Sequence, residues 1–128
     1  RFSRSLFIVL SVTQPAFAQP TDWMSNIPDR ASLSSINIPG THNSGALHEP
    51  ILGTAKCQSM SLQEQLESGT RFFDIRCRHS KDRFEIYHGL VSQNLSFTEV
   101  TETFKTFLQN HPSETIVTSI KQEYKPTQ

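Results

Sequence analysis

The sequence predicts an α/β fold with a largely parallel sheet. Apolar, β-branched-rich runs alternate with two short amphipathic stretches, in the order strand, helix, strand, strand, helix, strand. In addition, a period of two along each strand puts apolar residues at its start and polar or ionisable ones at its end, on one face. Functional groups gathered at the C-terminal ends of strands are typical of parallel α/β sites.

The first eighteen residues stand apart. Arg1 and Arg4 precede the apolar run "LFIVL", and "AFA" (Ala16-Phe17-Ala18) ends the segment with small residues flanking one large one. A basic start, a short apolar stretch and an A-x-A ending read as a secretory signal peptide, residues 1–18, cut after Ala18. The run is too short to span a bilayer, which takes about twenty apolar residues. The expected location is therefore secreted, extracellular or periplasmic.

The elements follow in chain order. "DWMSNIPD" predicts a short helix or turn anchored by Trp23 and Met24. "SINIPGTH" predicts the first strand, running from the isoleucines into a loop at Pro39-Gly40. "ALHEPILGTAKCQS" reads as loop, broken by Pro50 and Gly53. Ser61 with Glu64 forms a capping box, so Leu62 to Ser68 is a short helix that Gly69 can stop. "RFFDIRCR" and "DRFEIYHG" are the second and third strands, with too few residues between them for a helix. Ser96 and Glu99 form another capping box, opening a helix through about Gln109. Val100, Phe104, Phe107 and Leu108 share one face of that helix as core residues. "ETIVTSIKQ" is the fourth strand.

The chain has 128 residues, one domain by length, and a formal net charge of zero. No long-range field invites nucleic acid. It does not begin with Met and stops soon after a strand-like run, which reads as a fragment at both ends. Cys57 and Cys77 are the two cysteines; they are compatible with one disulfide in an exported protein or with two buried thiols. Their spacing matches no zinc pattern.

The period of two places Phe72, Asp74 and Arg76 on one face of the second strand, and Phe84, Ile86 and His88 on one face of the third. Val117, Ser119, Lys121 and Glu123 share a face of the fourth, and His42 sits just beyond the first. Singly, each has a structural explanation: a turn histidine, a half-buried histidine, an Asp74–Arg76 pair, a Lys121–Glu123 pair. Together, four ionisable strand ends would cost several kcal/mol each to bury unpaired, which favours one shared site. His48, His79 and His111 have no such placement and are read as surface residues. Two histidines and an arginine suit phosphoryl chemistry: one imidazole takes a proton, the other gives one, and the guanidinium faces the phosphate oxygens. An oxygen-ligated Ca²⁺ is the other arrangement such acidic residues allow, but Arg76 in its midst would repel the cation. No metal and no cofactor are expected.

At these residues the sequence resembles the bacterial phosphatidylinositol-specific phospholipase C family, the X-domain-type enzymes. The matching pieces are "IPGTHNSG", "GTRFFDIRCR", "YHG" and "NHPSETIVTSIKQEY", in the family's order, from about Trp23 to Tyr124. The resemblance implies the N-terminal half of a distorted TIM-type (β/α) barrel with mostly parallel strands, truncated within residues 19–128. A whole barrel takes roughly 250 residues. It implies cleavage of phosphatidylinositol, and of glycosylphosphatidylinositol anchors, to diacylglycerol and inositol 1,2-cyclic phosphate at a membrane surface, by a protein expected to be monomeric when full length. By resemblance, His42 is the general base, His88 the general acid, Arg76 the phosphate clamp and Asp74 its support. Asn43, Lys121 and Glu123 are implied at the substrate. Asn43 stands where the bacterial pattern has Asp, and an amide cannot stabilise an imidazolium as a carboxylate does. The alternative is a weakened or inactive member that binds inositol lipids or glycans. A sphingomyelinase D-like phosphodiesterase fits less well, because Arg76 sits badly among metal-binding carboxylates.

Overall fold

A computed structural model describes residues 20–123. The signal-peptide pattern over residues 1–18 and the end of the resemblance at Tyr124 lie outside the described residues. Five strands form one sheet: β1 (Gly40–Thr41), β2 (Phe72–Ser80), β3 (Arg83–His88), β4 (Val91–Ser96) and β5 (Val117–Gln122). Helix α1 (Leu62–Glu67) lies between β1 and β2, and α2 (Phe97–Asn110) between β4 and β5.

β2 is the central strand. β1 pairs parallel with its start (Gly40↔Phe72) and β5 runs parallel from Phe72↔Val117 to Cys77↔Gln122. β3 pairs antiparallel with its end, from Cys77↔Ile86 to Ser80↔Arg83. The sheet is therefore mixed, not mostly parallel. The reason is local: Arg78, His79 and Ser80 continue β2, leaving only Lys81 and Asp82 as a tight turn, with Lys81 in the left-handed region (φ 56). A connection that short can only make a hairpin.

Two further expectations change. The first strand does not begin at Ile36; Leu33–Ser35 is a single 3-10 turn and only Gly40–Thr41 pairs with β2. Pro39 has no N–H to offer, but its carbonyl accepts from Arg71 N at 2.9 Å and Phe72 N at 3.0 Å, which docks the segment without a ladder. β4, antiparallel to β3, was not read from the sequence. Its face alternation is interrupted by Gln93, buried because its Oε1 accepts the backbone N–H of His48 at 2.7 Å. Asn94 takes a positive φ of 54 in the same strand.

Both helices start at the expected capping boxes: Ser61 with Glu64, and Ser96 with Glu99, each bonded reciprocally. Gly69 stops α1 at φ 101, and its carbonyl accepts from Trp23 Nε1 at 2.9 Å. Alternation along β2 separates two worlds. Phe73, Ile75 and Cys77 are buried against Leu66 of α1 and Val100 and Phe107 of α2. Phe72, Asp74 and Arg76 point to the opposite face, which carries the site.

At the base of the sheet, Arg71 and Glu114 form a fully buried pair, Nε to Oε2 at 2.8 Å. Arg71 also donates to the carbonyls of Leu66, Thr70 and Thr21, and Glu114 accepts from Met24 N, so every charge is paired or hydrogen-bonded. His111 is not the surface residue expected. It stacks on Phe107 with centroids 4.4 Å apart and meets Asp22 at 2.8 Å, tying the N-terminal turn, the 3-10 segment Pro20–Asn26, to the end of α2.

Candidate active site

The loop after β1 carries the site because three neighbours hold it. Ser44 N donates to the carbonyl of Asp74 at 2.9 Å, and Asp74 N donates to Ser44 Oγ at 2.9 Å, zipping the loop onto β2. Buried Gln65 of α1 donates to the carbonyls of Ser44 and Met60, and its Oε1 lies 2.8 Å from Thr41 Oγ1. Gly45 is required by close approach: a Cβ there would lie 2.9 Å from Cγ2 of Ile86 on β3. Asn43 takes a left-handed φ of 47, a conformation Asn tolerates better than most residues.

That geometry turns His42 toward β2. Its Nδ1 lies 3.2 Å from Asp74 Oδ2, so Nδ1 carries the proton and Nε2 presents a lone pair. The His42 side chain is 68% exposed, against 15% for Asp74. Asp74 also accepts from Asn43 N at 3.1 Å and from Arg76 Nη2 at 3.0 Å. Burial pushes the Asp74 carboxyl up, but the Arg76 hydrogen bond, the Asn43 N–H and the charges of Arg76 and His42 together hold it below the usual range. Arg76 is held above its usual range by its hydrogen bond to Asp74, against burial, and by Glu123. Glu123 Oε1 takes the other arm of the guanidinium at 3.1 Å.

The strand ends do converge, though by an unexpected route. β2 overshoots its parallel neighbour and β3 folds back antiparallel, so the C-terminal end of β3 returns His88 to the level of the site. His88 Nδ1 lies 2.9 Å from the carbonyl of Ala55, which must accept, and Nε2 has no hydrogen-bond partner among the described residues. Between the two histidines lie Asn43 and Cys57. Asn43 Nδ2 is 3.1 Å from His42 Nε2 and 3.6 Å from Cys57 Sγ, and Cys57 Sγ is 3.7 Å from His88 Nδ1.

An open groove of about 580 Å³ is bordered by His42, Asp74, Arg76, Ser119 and Lys121. Lys121 thus faces the groove, opposite Arg76 in the β2–β5 register. Glu123 pairs with Arg76 and not with Lys121. Asn43, expected at the substrate, is buried within the loop, and its Oδ1 has no hydrogen-bond partner among the described residues. The cysteines form no disulfide: Cys57 is exposed beside His88, whereas Cys77 is buried in the core, where burial raises its thiol.

Three contributors escaped the sequence reading: Ala55 and Cys57 at His88, and Gln58, whose side chain donates to the His42 carbonyl. All lie in a stretch without periodicity, so no pattern marked them; the exposed cysteine beside a run of loop residues was the one available signal.

The family model described as phosphatidylinositol-specific phospholipase C, X domain, matches residues 31–128. A 1-phosphatidylinositol phosphodiesterase from Listeria monocytogenes serovar 1/2a is 42% identical over 106 residues, covering 79% of this chain and 32% of that protein. One from Staphylococcus aureus strain Newman is 40% identical over 109 residues, covering 82% and 35%. A solved structure of the S. aureus phosphatidylinositol-specific phospholipase C is similar with a TM-score of 0.78 at 39% identity, over 83% of this chain and 36% of that one. The chain spans about a third of the length of the curated relatives it matches. Its mixed sheet is a half-barrel that follows those structures. On the family match and the identity to these relatives, the chain belongs to the phosphatidylinositol-specific phospholipase C X-domain family.

Proposed function

We propose that the chain is the N-terminal part of a secreted phospholipase C, with residues 1–18 a signal peptide and residues 19–128 the first half of a TIM-type barrel. It cleaves phosphatidylinositol to diacylglycerol and inositol 1,2-cyclic phosphate. The relatives' names support the substrate, since they are 1-phosphatidylinositol phosphodiesterases. The observation that carries the mechanism is the Asp74 carboxylate, which joins His42 and Arg76 at one edge of an open groove.

Asp74 fixes the tautomer of His42, so Nε2 is the basic nitrogen. Nε2 exchanges its contact with Asn43 for the inositol 2-hydroxyl and takes that proton. The freed oxygen attacks phosphorus. Arg76, already aimed by Asp74 and Glu123, faces the non-bridging oxygens where negative charge builds. His88, protonated, donates from Nε2 to the diacylglycerol oxygen as the P–O bond breaks. Slower hydrolysis of the cyclic product follows. Lys121 contacts the headgroup from the groove. Glycosylphosphatidylinositol anchors carry the same scissile bond and are a second substrate class.

Leu52, 93% exposed, and Ile51 and Leu90, each 68% exposed, belong to the loop that holds His88 and to the turn after it. Apolar side chains this exposed at the edge of a site suit a lipid surface. His42→Ala and His88→Ala in the full-length protein are expected to lose about 10²–10⁴-fold in the release of water-soluble inositol phosphate from phosphatidylinositol vesicles. Full activity in either variant would overturn the assignment.

A second reading has its own support. Asn43 leaves Oδ1 unpaired and gives His88 no carboxylate. A member that binds inositol lipids without cleaving them would bind vesicles and release no product.

A further inference from the structure

Glu49 lies half-buried in the loop between β1 and α1, and its carboxylate folds that loop back on itself. Oε1 accepts from Gly53 N at 2.9 Å and Thr54 N at 3.0 Å, and the N–H groups of Ala55 and Lys56 reach the same oxygen at 3.4 Å. The ends of the loop are pinned separately: Cys57 N and Gln58 N donate to the Ala46 carbonyl, and His48 N donates to Gln93. Among the described residues Glu49 forms no ion pair. Desolvation raises its carboxyl, but the four N–H groups, Lys56 foremost, outweigh this and hold it below its usual range, so it is ionised at neutral pH. The Lys56 N–H and the Ala55 carbonyl belong to one peptide group. No described peptide bond is cis, so the two point in opposite directions across one plane. The N–H end meets Glu49 at 3.4 Å, and the carbonyl end takes the Nδ1 proton of His88 at 2.9 Å. The other titratable group in contact with the ring among the described residues is the Cys57 thiol, 3.7 Å from Nδ1. No carboxylate bonds to His88 directly among these residues; Asp74 is committed to His42, Asn43 and Arg76.

We propose that Glu49 is the positioning residue for His88, acting on it through the Ala55–Lys56 peptide. A negative charge at the N–H end polarises that peptide and makes its carbonyl oxygen a stronger acceptor. The carbonyl then holds Nδ1–H more firmly, keeps Nε2 as the nitrogen that exchanges a proton, and favours the imidazolium. The bonds to Gly53 and Thr54 fix the loop, so the carbonyl that orients the ring stays in place. The kinetic consequence rests on the phospholipase reading, with His88 as general acid. The link between Glu49 and the ring does not, and it can be tested without turnover.

Two replacements separate charge from shape. Glu49→Gln keeps an acceptor oxygen at the same reach and removes the charge, whereas Glu49→Asp keeps the charge on a shorter arm. In the full-length protein, the His88 titration followed by ring ¹⁵N spectra is expected to move to lower pH by roughly half a pH unit in Glu49→Gln, the scale of one charge acting across a partly solvated loop. The alkaline limb of the kcat–pH profile, which reports the general acid, should move with it. On that limb kcat should fall about threefold, with KM within about twofold. Glu49→Asp is expected to return both most of the way to wild type. An unmoved ring titration in a folded Glu49→Gln protein would overturn the proposal. So would equal losses of kcat in both variants with neither profile shifted, the result a merely structural loop would give. If the wild-type protein releases no product, the phospholipase reading falls, and the ring titration alone decides the link between Glu49 and His88.

Discussion

Asp74 accepts from His42, Asn43 and Arg76 at once, with its side chain only 15% exposed. Its carboxyl is held below the ordinary range, so the folded state favours the ionised form more than the unfolded chain does. The resulting stability is present above the unfolded carboxyl range, about pH 4, and is lost as pH falls through the lower folded value. The melting temperature should therefore drop between roughly pH 5 and pH 2, and Asp74→Asn should flatten that slope. An identical slope in the variant would count against the cluster. The sequence announced this residue and Arg76 through alternation on one strand face, because period two survives wherever a strand is regular. It misplaced Asn43. A left-handed backbone turns that side chain inward, and no periodicity reports a single φ.

Elements were legible where local chemistry defines them. Both helices start at capping boxes written in the sequence, and α2 buries the expected Val100 and Phe107. β4 was hidden because Gln93 serves the His48 backbone in place of a core contact, and β1 shrank because Pro39 docks by its carbonyl alone. The direction of β3 was equally hidden: it depends on three residues of β2 running past the end of β5. Gly45 is where the loop packs on that hairpin. Gly45→Ala should cost about 1–3 kcal/mol in urea unfolding, because the Cβ meets Ile86 Cγ2 at 2.9 Å. The Arg71–Glu114 pair joins the N-terminal turn, α1 and the start of β5, and its partners were far apart in sequence. Arg71→Met leaves a buried carboxylate unpaired and should cost about 3–5 kcal/mol, whereas Arg71→Met with Glu114→Leu should recover much of it. A single variant as stable as wild type would show that Glu114 finds another partner.

At the scale of the molecule, one face of β2 is closed and the other is open. Helices cover Phe73 and Ile75, but the cover stops short of β5, where Ile120, beside Ile75 on the same face, is 57% exposed. Among the described residues β5 has one strand partner, β2. An open edge beside exposed apolar residues promotes association. Residues 19–128 expressed alone should scatter light at micromolar concentration; a monomer with a sharp cooperative melt would contradict this. The open face also carries the candidate site, with His42, Asp74, Arg76 and Lys121 around the groove. The proposed chemistry needs two imidazoles and a guanidinium, and Arg76 is held between the carboxylates of Asp74 and Glu123. The most direct test is phosphatidylinositol cleavage by the full-length protein in EDTA. Undiminished release of inositol 1,2-cyclic phosphate is the predicted result; complete loss of activity in EDTA, restored by Ca²⁺, would contradict it.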